Sequence, residues 1–202
     1  MAKVAKCILL DRSVLFNLFS VFLRSMKEEN VILVDEQDRP IGLMPKMEAH
    51  EKALLHRAFS VFILNSKGEL MLQQRAWDKY HSPGLWTNTC CSHQRDGETS
   101  VAAGLRRLQE EMGFQAPLEE AFSFIYKAPF DNGLTEHEFD HVLIGYSEEE
   151  PQPNPEEVAH WKWMPLEAVH TDLQQNPDQY TVWFAIIFER FFQELQEKIA
   201  LS

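Results

Sequence analysis

The stretch from Thr99 to Met112 constrains this chain most, because Val101, Leu105, Leu108 and Met112 recur there at the period of a helix with one apolar face, and Gly113 ends it. The surrounding sequence has a different period. Val31 to Asp35, Arg57 to Asn65, Glu69 to Gln74, Phe122 to Ala128, Glu136 to Gly145 and Ala159 to Met164 read as strands. Asn65-Ser66-Lys67-Gly68 and Asp131-Asn132-Gly133 read as hairpin connections. Further helices are expected over Pro165 to Gln175 and Tyr180 to Ile199, the second with Trp183, Ile186, Ile187, Phe191 and Leu195 as its apolar residues. A lone amphipathic helix among strands must bury its stripe on a sheet face, so the expected class is α/β, a mixed sheet covered by helices.

With 202 residues the chain is expected to form a single domain, with residues 1–25 as an extension outside a domain of residues 26–202. Lys3, Lys6 and Arg12 precede an apolar run from Val14 to Leu23, but that run is shorter than the roughly 20 residues that span a bilayer, so no stable membrane insertion is expected. Met26 is an alternative start, and removing residues 1–25 takes away four cations and one acid, moving the formal charge from −12 to −15. Either charge argues against nucleic-acid partners and makes any phosphate chemistry local. Cys7, Cys90 and Cys91 are too few for a disulfide framework, which suggests a reducing, cytoplasmic setting. Glu148 to Glu157, rich in acid and proline, reads as the one linker. A monomer or weak dimer is expected.

The central helix carries Glu110 and Glu111 near its end, with Glu98 at its mouth. Two acids on a helix are commonly just a solvated face. Here Arg106, Leu108, Glu110, Glu111, Gly113 and Phe114 resemble the tail of the Nudix box, whose helix aligns carboxylates to ligate magnesium on a pyrophosphate. Two box positions differ: Ser92 replaces the opening glycine, and Arg107 replaces a ligating glutamate. An arginine there can grip diphosphate oxygens in bidentate fashion instead.

Cys91-x-His93, in an extended run, puts both side chains on one strand face, with Cys90 turned the other way into the core. His50 and His56 bracket a helical turn, and Glu136 and Glu138 alternate onto one face of a later strand. Three imidazoles and two carboxylates suit Mn²⁺ or Zn²⁺, although Glu136 to Asp140 could equally be the polar face of an exposed strand. Lys46, Arg75 and Lys79 are the nearest cations and could collect phosphate charge.

HRAFSVFILN from His56, LQQRAWDKYHSPGLWTNTCCSH from Leu72, the altered box ending EEMGF, YKAPFDNGLTEHEFDHVLIG from Tyr126 and the late Trp183 together resemble the type I isopentenyl-diphosphate isomerases, a Nudix-fold family. The resemblance runs from about Asn30 to about Leu195. It implies a Nudix-type mixed sheet sandwiched between helices. It also implies a catalytic cysteine at Cys91, and an Mn²⁺ or Zn²⁺ site at His50, His56, His93, Glu136 and Glu138. Glu138 would also transfer a proton, with Tyr126 beside it. A substrate-linked Mg²⁺ would rest on Glu111 and the Cys91 backbone. Lys46, Arg75, Lys79, Arg107 and Ser92 would bind the diphosphate, and Trp183 would face a developing carbocation.

The implied reaction is the reversible conversion of isopentenyl diphosphate, a small-molecule substrate, to dimethylallyl diphosphate. It adds a proton at C4 and removes one from C2 through a tertiary cation. An alkene is a weak base, so a strong acid must be held in a dry pocket. A thiolate at Cys91, favoured by neighbouring positive charge, would take the C2 proton. A desolvated cation over Trp183 gains about 2 kcal/mol. The alternative is a Nudix-type diphosphate hydrolase, which Arg107 disfavours, and a non-enzymatic metal-stabilised domain would leave Cys91 and Trp183 without a role.

Overall fold

The computed structural model describes residues 29–200 except Tyr80 and Asp131, with side chains described to residue 194. Nine strands form one mixed, branched sheet: β1 (Asn30–Val34), β2 (Pro40–Pro45), β3 (His56–Leu64), β4 (Glu69–Arg75), β5 (Trp86–Thr87), β6 (Cys90–Ser92), β7 (Leu118–Pro129), β8 (Thr135–Tyr146) and β9 (Val158–Pro165). The helices are α1 (Lys46–Glu51), α2 (Ser100–Met112), α3 (Leu166–Gln175) and α4 (Val182–Ala200).

β3 organises the sheet. Its near-continuous apolar run is buried on both faces. Along one edge it pairs in parallel with β8 from His56↔Glu138 to Leu64↔Tyr146. Its other edge meets β1 at His56, β6 at Phe59 to Val61 and β4 at Leu64. One face packs Phe62, Val142 and Ile144 under Trp183, Phe184, Ile187, Phe188 and Phe191 of α4. The opposite face packs Phe59, Val61, Ile63, Met71 and Cys90 under Ala103, Leu108 and Met112 of α2. The sheet is therefore sandwiched between helices in one α/β domain, as expected. Residues 1–25, and with them Cys7 and the apolar run, lie outside the described residues.

Local chemistry sets the helix ends. Thr99 Oγ1 accepts from the Ala102 N–H at 3.2 Å, and Gly113 closes α2 in the left-handed region at φ 76°. A Cβ on Gly113 would sit 2.3 Å from the Gln152 carbonyl oxygen, so glycine also admits a second chain segment here. That segment is Glu148–Glu157, and it is not a linker. Gln152 N–H donates to Met112 C=O at 2.9 Å and Asn154 N–H to Glu111 C=O at 2.8 Å, so the loop supplies donors to the open carbonyls at the helix end. Acid and proline content marks a segment without regular structure, and such a segment can still be tied down by backbone bonds.

Three other expectations shift. Pro40–Pro45 is a strand without an apolar period because it is a mostly exposed edge, where proline is tolerated. β7 starts at Leu118 rather than Phe122, because an irregularity between Glu120 and Phe122 breaks the alternation. His50 and His56 do not flank one turn: His50 lies in α1, and His56 opens β3. Of the hairpins, Asn65–Gly68 closes through Gly68 N–H to Asn65 C=O at 3.0 Å. The second closes through Phe130 N–H to Leu134 C=O at 2.8 Å, with Asp131 outside the described residues.

Candidate active site

The strand register builds the site. His56, Glu138 and Tyr126 form one row across β3, β8 and β7 through the pairs His56↔Glu138 and Tyr126↔Glu138. Side chains alternate along a strand, so these three share the face that carries Phe62 and Val142. His50 reaches the row from α1 and His93 from just beyond β6. Nε2 of His50 lies 3.2 Å from Nε2 of His56, while Oε1 of Glu138 lies 3.1 Å from His93 Nε2 and 3.5 Å from His56 Nε2. One ligand atom from each of the four residues falls within 4.8 Å of the others, and all four are buried.

Three imidazoles and a carboxylate are a nitrogen-rich donor set for a divalent metal, and the electrostatics agree. Burial, then the neighbouring His93 and His56, lowers the His50 pKa to about 3. Burial and Lys46 lower that of His93 to about 4, against the pull of Glu138. Both rings are thus neutral near pH 7, with lone pairs available. Burial alone would raise the Glu138 pKa, but the bonds from His56 and His93 outweigh it and hold the carboxyl well below its usual range. His93 Nδ1 is buried without a hydrogen-bond partner. The cluster could hold a divalent metal. Glu136, also expected among the ligands, accepts from the Tyr126 hydroxyl at 3.1 Å, and burial and the Glu138 charge push its pKa well up.

A cavity of about 240 Å³ opens beside this cluster and brings together all the expected site residues: Lys46, His50, Arg75, Lys79, Cys91, Ser92, His93, Arg107, Glu111, Tyr126, Glu136, Glu138 and Trp183 line it, and His56 sits behind as a cluster member. Tyr126 donates to Glu138 Oε2 at 2.6 Å. Cys91 pairs with Ser60 of β3 and faces the α4 side of the sheet, whereas Cys90 is fully buried on the α2 side. Trp183 is 2% exposed, and the Arg75 guanidinium carbon lies 5.1 Å from its ring centroid.

The thiolate expectation for Cys91 is corrected. Burial pushes its pKa strongly up; Arg75 pulls it down, but Glu111, Glu136 and Glu138 add to the rise. One cation does not outweigh burial and three nearby carboxylates, so these surroundings favour the thiol over the thiolate.

Glu111 occupies the sheet-facing stripe of α2 with Leu108 and Met112 and is 4% exposed. A buried glutamate needs partners: Arg107 donates to Oε1 from Nε at 3.0 Å and Nη2 at 2.6 Å, and Gln73 donates to Oε2 at 3.0 Å. The structure adds residues with no signal in the sequence. Gln73 holds Glu111, Glu29 lies 3.8 Å from Lys46, and Glu157 meets Lys79 and Arg107. His81 stacks on Phe130 at 5.4 Å and meets the Trp183 ring edge-on at 5.5 Å.

The NUDIX domain family matches residues 54–184. Among solved structures, a Deinococcus radiodurans protein superposes with a TM-score of 0.67 at 22% identity, covering 80% of this chain and 98% of that one. At that identity the likeness establishes the fold alone, so the class is a Nudix-fold protein with a histidine-rich cluster beside its box helix. Sequence relatives go further. The isopentenyl-diphosphate Delta-isomerase of Serratia proteamaculans is 50% identical over 162 residues, covering 80% of this chain and 90% of its own length. Isopentenyl-diphosphate Delta-isomerase 2 of Aromatoleum aromaticum is 50% identical over 163 residues, covering 81% of this chain and 86% of its own. The chain belongs to the isopentenyl-diphosphate Delta-isomerase family.

Proposed function

We propose that the protein interconverts isopentenyl diphosphate and dimethylallyl diphosphate by protonation at C4 and deprotonation at C2. The observation that carries this reading is one cavity with the Tyr126–Glu138 pair, the Cys91 thiol, the Trp183 indole and four basic side chains on its walls. Lys46, Arg75, Lys79 and Arg107, with Ser92, hold the diphosphate and so fix where the hydrocarbon lies. Tyr126 and Glu138 address one carbon and Cys91 the other, while Trp183 offers its π face to the tertiary cation between them.

His50, His56, His93 and Glu138, together with Glu136, are the residues that would hold Mn²⁺ or Zn²⁺, and Glu111 with the Cys91 backbone would hold a substrate-linked Mg²⁺. When bound, these ions supply positive charge that favours the ionised forms of neighbouring acids. A thiol on Cys91 and a carboxylate on Glu138 would be the state that turnover of isopentenyl diphosphate leaves behind. It is also the starting state for the reverse direction. Proton donor and acceptor thus exchange with direction.

Hydrolysis is the competing reading, and Arg107 speaks against it: where a Nudix hydrolase needs another carboxylate, this chain places a guanidinium bound to Glu110 and Glu111. The test is proton NMR with isopentenyl diphosphate and Mg²⁺ in D₂O. Alkene migration with deuterium in a methyl group and no phosphate release supports isomerisation, whereas phosphate release without migration overturns it. The proposal includes a cytoplasmic monomer or weak dimer with no nucleic-acid partner, in keeping with the net charge of −12 and the free Cys90 and Cys91. No helix among the described residues is long and apolar enough to cross a membrane.

A further inference from the structure

Two of the four cations assigned to the diphosphate share one anion. Lys79 Nζ lies 2.5 Å from Glu157 Oε2, and Arg107 Nη2 reaches the same oxygen at 3.5 Å. Lys79 comes from the loop after β4 and Arg107 from α2, so two cations from separate elements converge on one carboxylate oxygen inside the pocket.

The backbone fixes that placement. Ala76 N–H donates to the Glu157 carbonyl at 2.9 Å, which ties Glu157 to the loop bearing Lys79. Glu157 N–H donates to Asn154 C=O at 2.9 Å, and Asn154 N–H to Glu111 C=O at 2.8 Å, which ties it to the helix bearing Arg107. The other four acids of this loop, Glu148, Glu149, Glu150 and Glu156, are exposed, whereas the Glu157 side chain is 24% exposed. Lys79 and Arg107 hold its carboxyl below the usual range although burial opposes them.

We infer that Glu157 is an internal counter-anion that stands in for a diphosphate oxygen, keeping Lys79 and Arg107 convergent in the free protein and giving them up when the substrate arrives. The inference rests on the isomerase reading for the identity of the substrate. Its physical basis is general: two cations without an anion between them repel, and a third anion in the cradle must be displaced before the ligand gains their full attraction. The role is that of a positioning residue which sets affinity for the diphosphate end and therefore release of product.

The experiment is calorimetric titration of the metal-loaded full chain with inorganic pyrophosphate and Mg²⁺, alongside KM for isopentenyl diphosphate. Glu157→Gln keeps shape and removes charge, so pyrophosphate should bind roughly tenfold tighter and KM should fall with it. Lys79→Met removes the other end of the pair and should weaken pyrophosphate by roughly tenfold. Opposite signs from the two ends are the signature; a merely structural glutamate would lower melting temperature and rate without tightening pyrophosphate. Unchanged or weaker binding in a folded Glu157→Gln protein overturns the inference. If that variant does not fold, undiminished binding in Lys79→Met overturns it alone. If pyrophosphate shows the opposite shifts while the wild type leaves isopentenyl diphosphate untouched, the isomerase reading fails and the counter-anion stands.

Discussion

The hydroxyl of Tyr126 donates to Oε2 of Glu138 at 2.6 Å, while the other oxygen of that carboxylate faces His93 and His56. One carboxylate therefore faces the histidine cluster with Oε1 and the Tyr126 hydroxyl with Oε2. Glu138→Gln should lose both bound metal and turnover, by about 10²-fold or more in rate, whereas Tyr126→Phe should lose rate while retaining metal. Metal content by elemental analysis and initial rates on the same preparations separate the two; full activity in Glu138→Gln would place the acid elsewhere.

The two adjacent cysteines make an internal control. Cys91→Ala should abolish turnover, by about 10²-fold or more, with metal retained. Cys90→Ala, on the opposite sheet face, should keep turnover and cost about 1 kcal/mol of stability from lost packing. Equal loss of rate in both would sink the role of Cys91.

Chelation should lower thermal stability as well as activity, because ligands that lie within 4.8 Å of one another, two of them with low-pKa imidazoles, are prepared to bind a metal only in the folded state. Differential scanning calorimetry before and after removal, and after re-addition of Mn²⁺ or Zn²⁺, reads this directly. An unchanged melting temperature would argue against a resident ion.

His81 carries a pH dependence that can be isolated, since it is outside the metal cluster. Burial first, then Arg75 and Lys46, lowers its pKa from 6.5 to about 3. The folded value lies below the unfolded one, so the unfolded chain binds the extra proton and stability falls as pH drops from about 6.5 toward 3. His81→Phe, which preserves a ring against Phe130 and Trp183, should reduce proton uptake on unfolding at pH 5 by about one. An unaltered slope of stability against pH would show that the imidazole is not held neutral.

Deleting residues 1–25 should leave turnover and melting temperature unchanged, since the resemblance begins near Asn30. A large loss of either would make the leading segment part of the working domain.

Part of the site was legible because several of its chemical groups sit in dense local motifs. Cys91 and His93 are two residues apart on an extended segment, Glu136 and Glu138 two apart on a strand, and Arg107 and Glu111 one helical turn apart. Local period fixes their relative direction, and the resemblance assigns their roles. Residues held only by long-range contact were not legible. Glu157 sits in a segment whose composition reads as loop, and its function depends on Lys79 and Arg107, which reach it from distant parts of the chain. Gln73 looks like any polar strand residue until Glu111 is buried beside it. The protonation of Cys91 also escaped, because it depends on burial and on three carboxylates from two other elements.

The parallel pairing of β3 with β8 has a kinetic consequence. His56 and Glu138 are partners in that register, so the four-residue cluster is assembled only after two strands far apart in sequence have closed their loop in the correct alignment. A slip of one residue would turn Glu138 to the opposite sheet face and leave the histidines without their carboxylate. A candidate metal site built this way depends on the least local part of the topology.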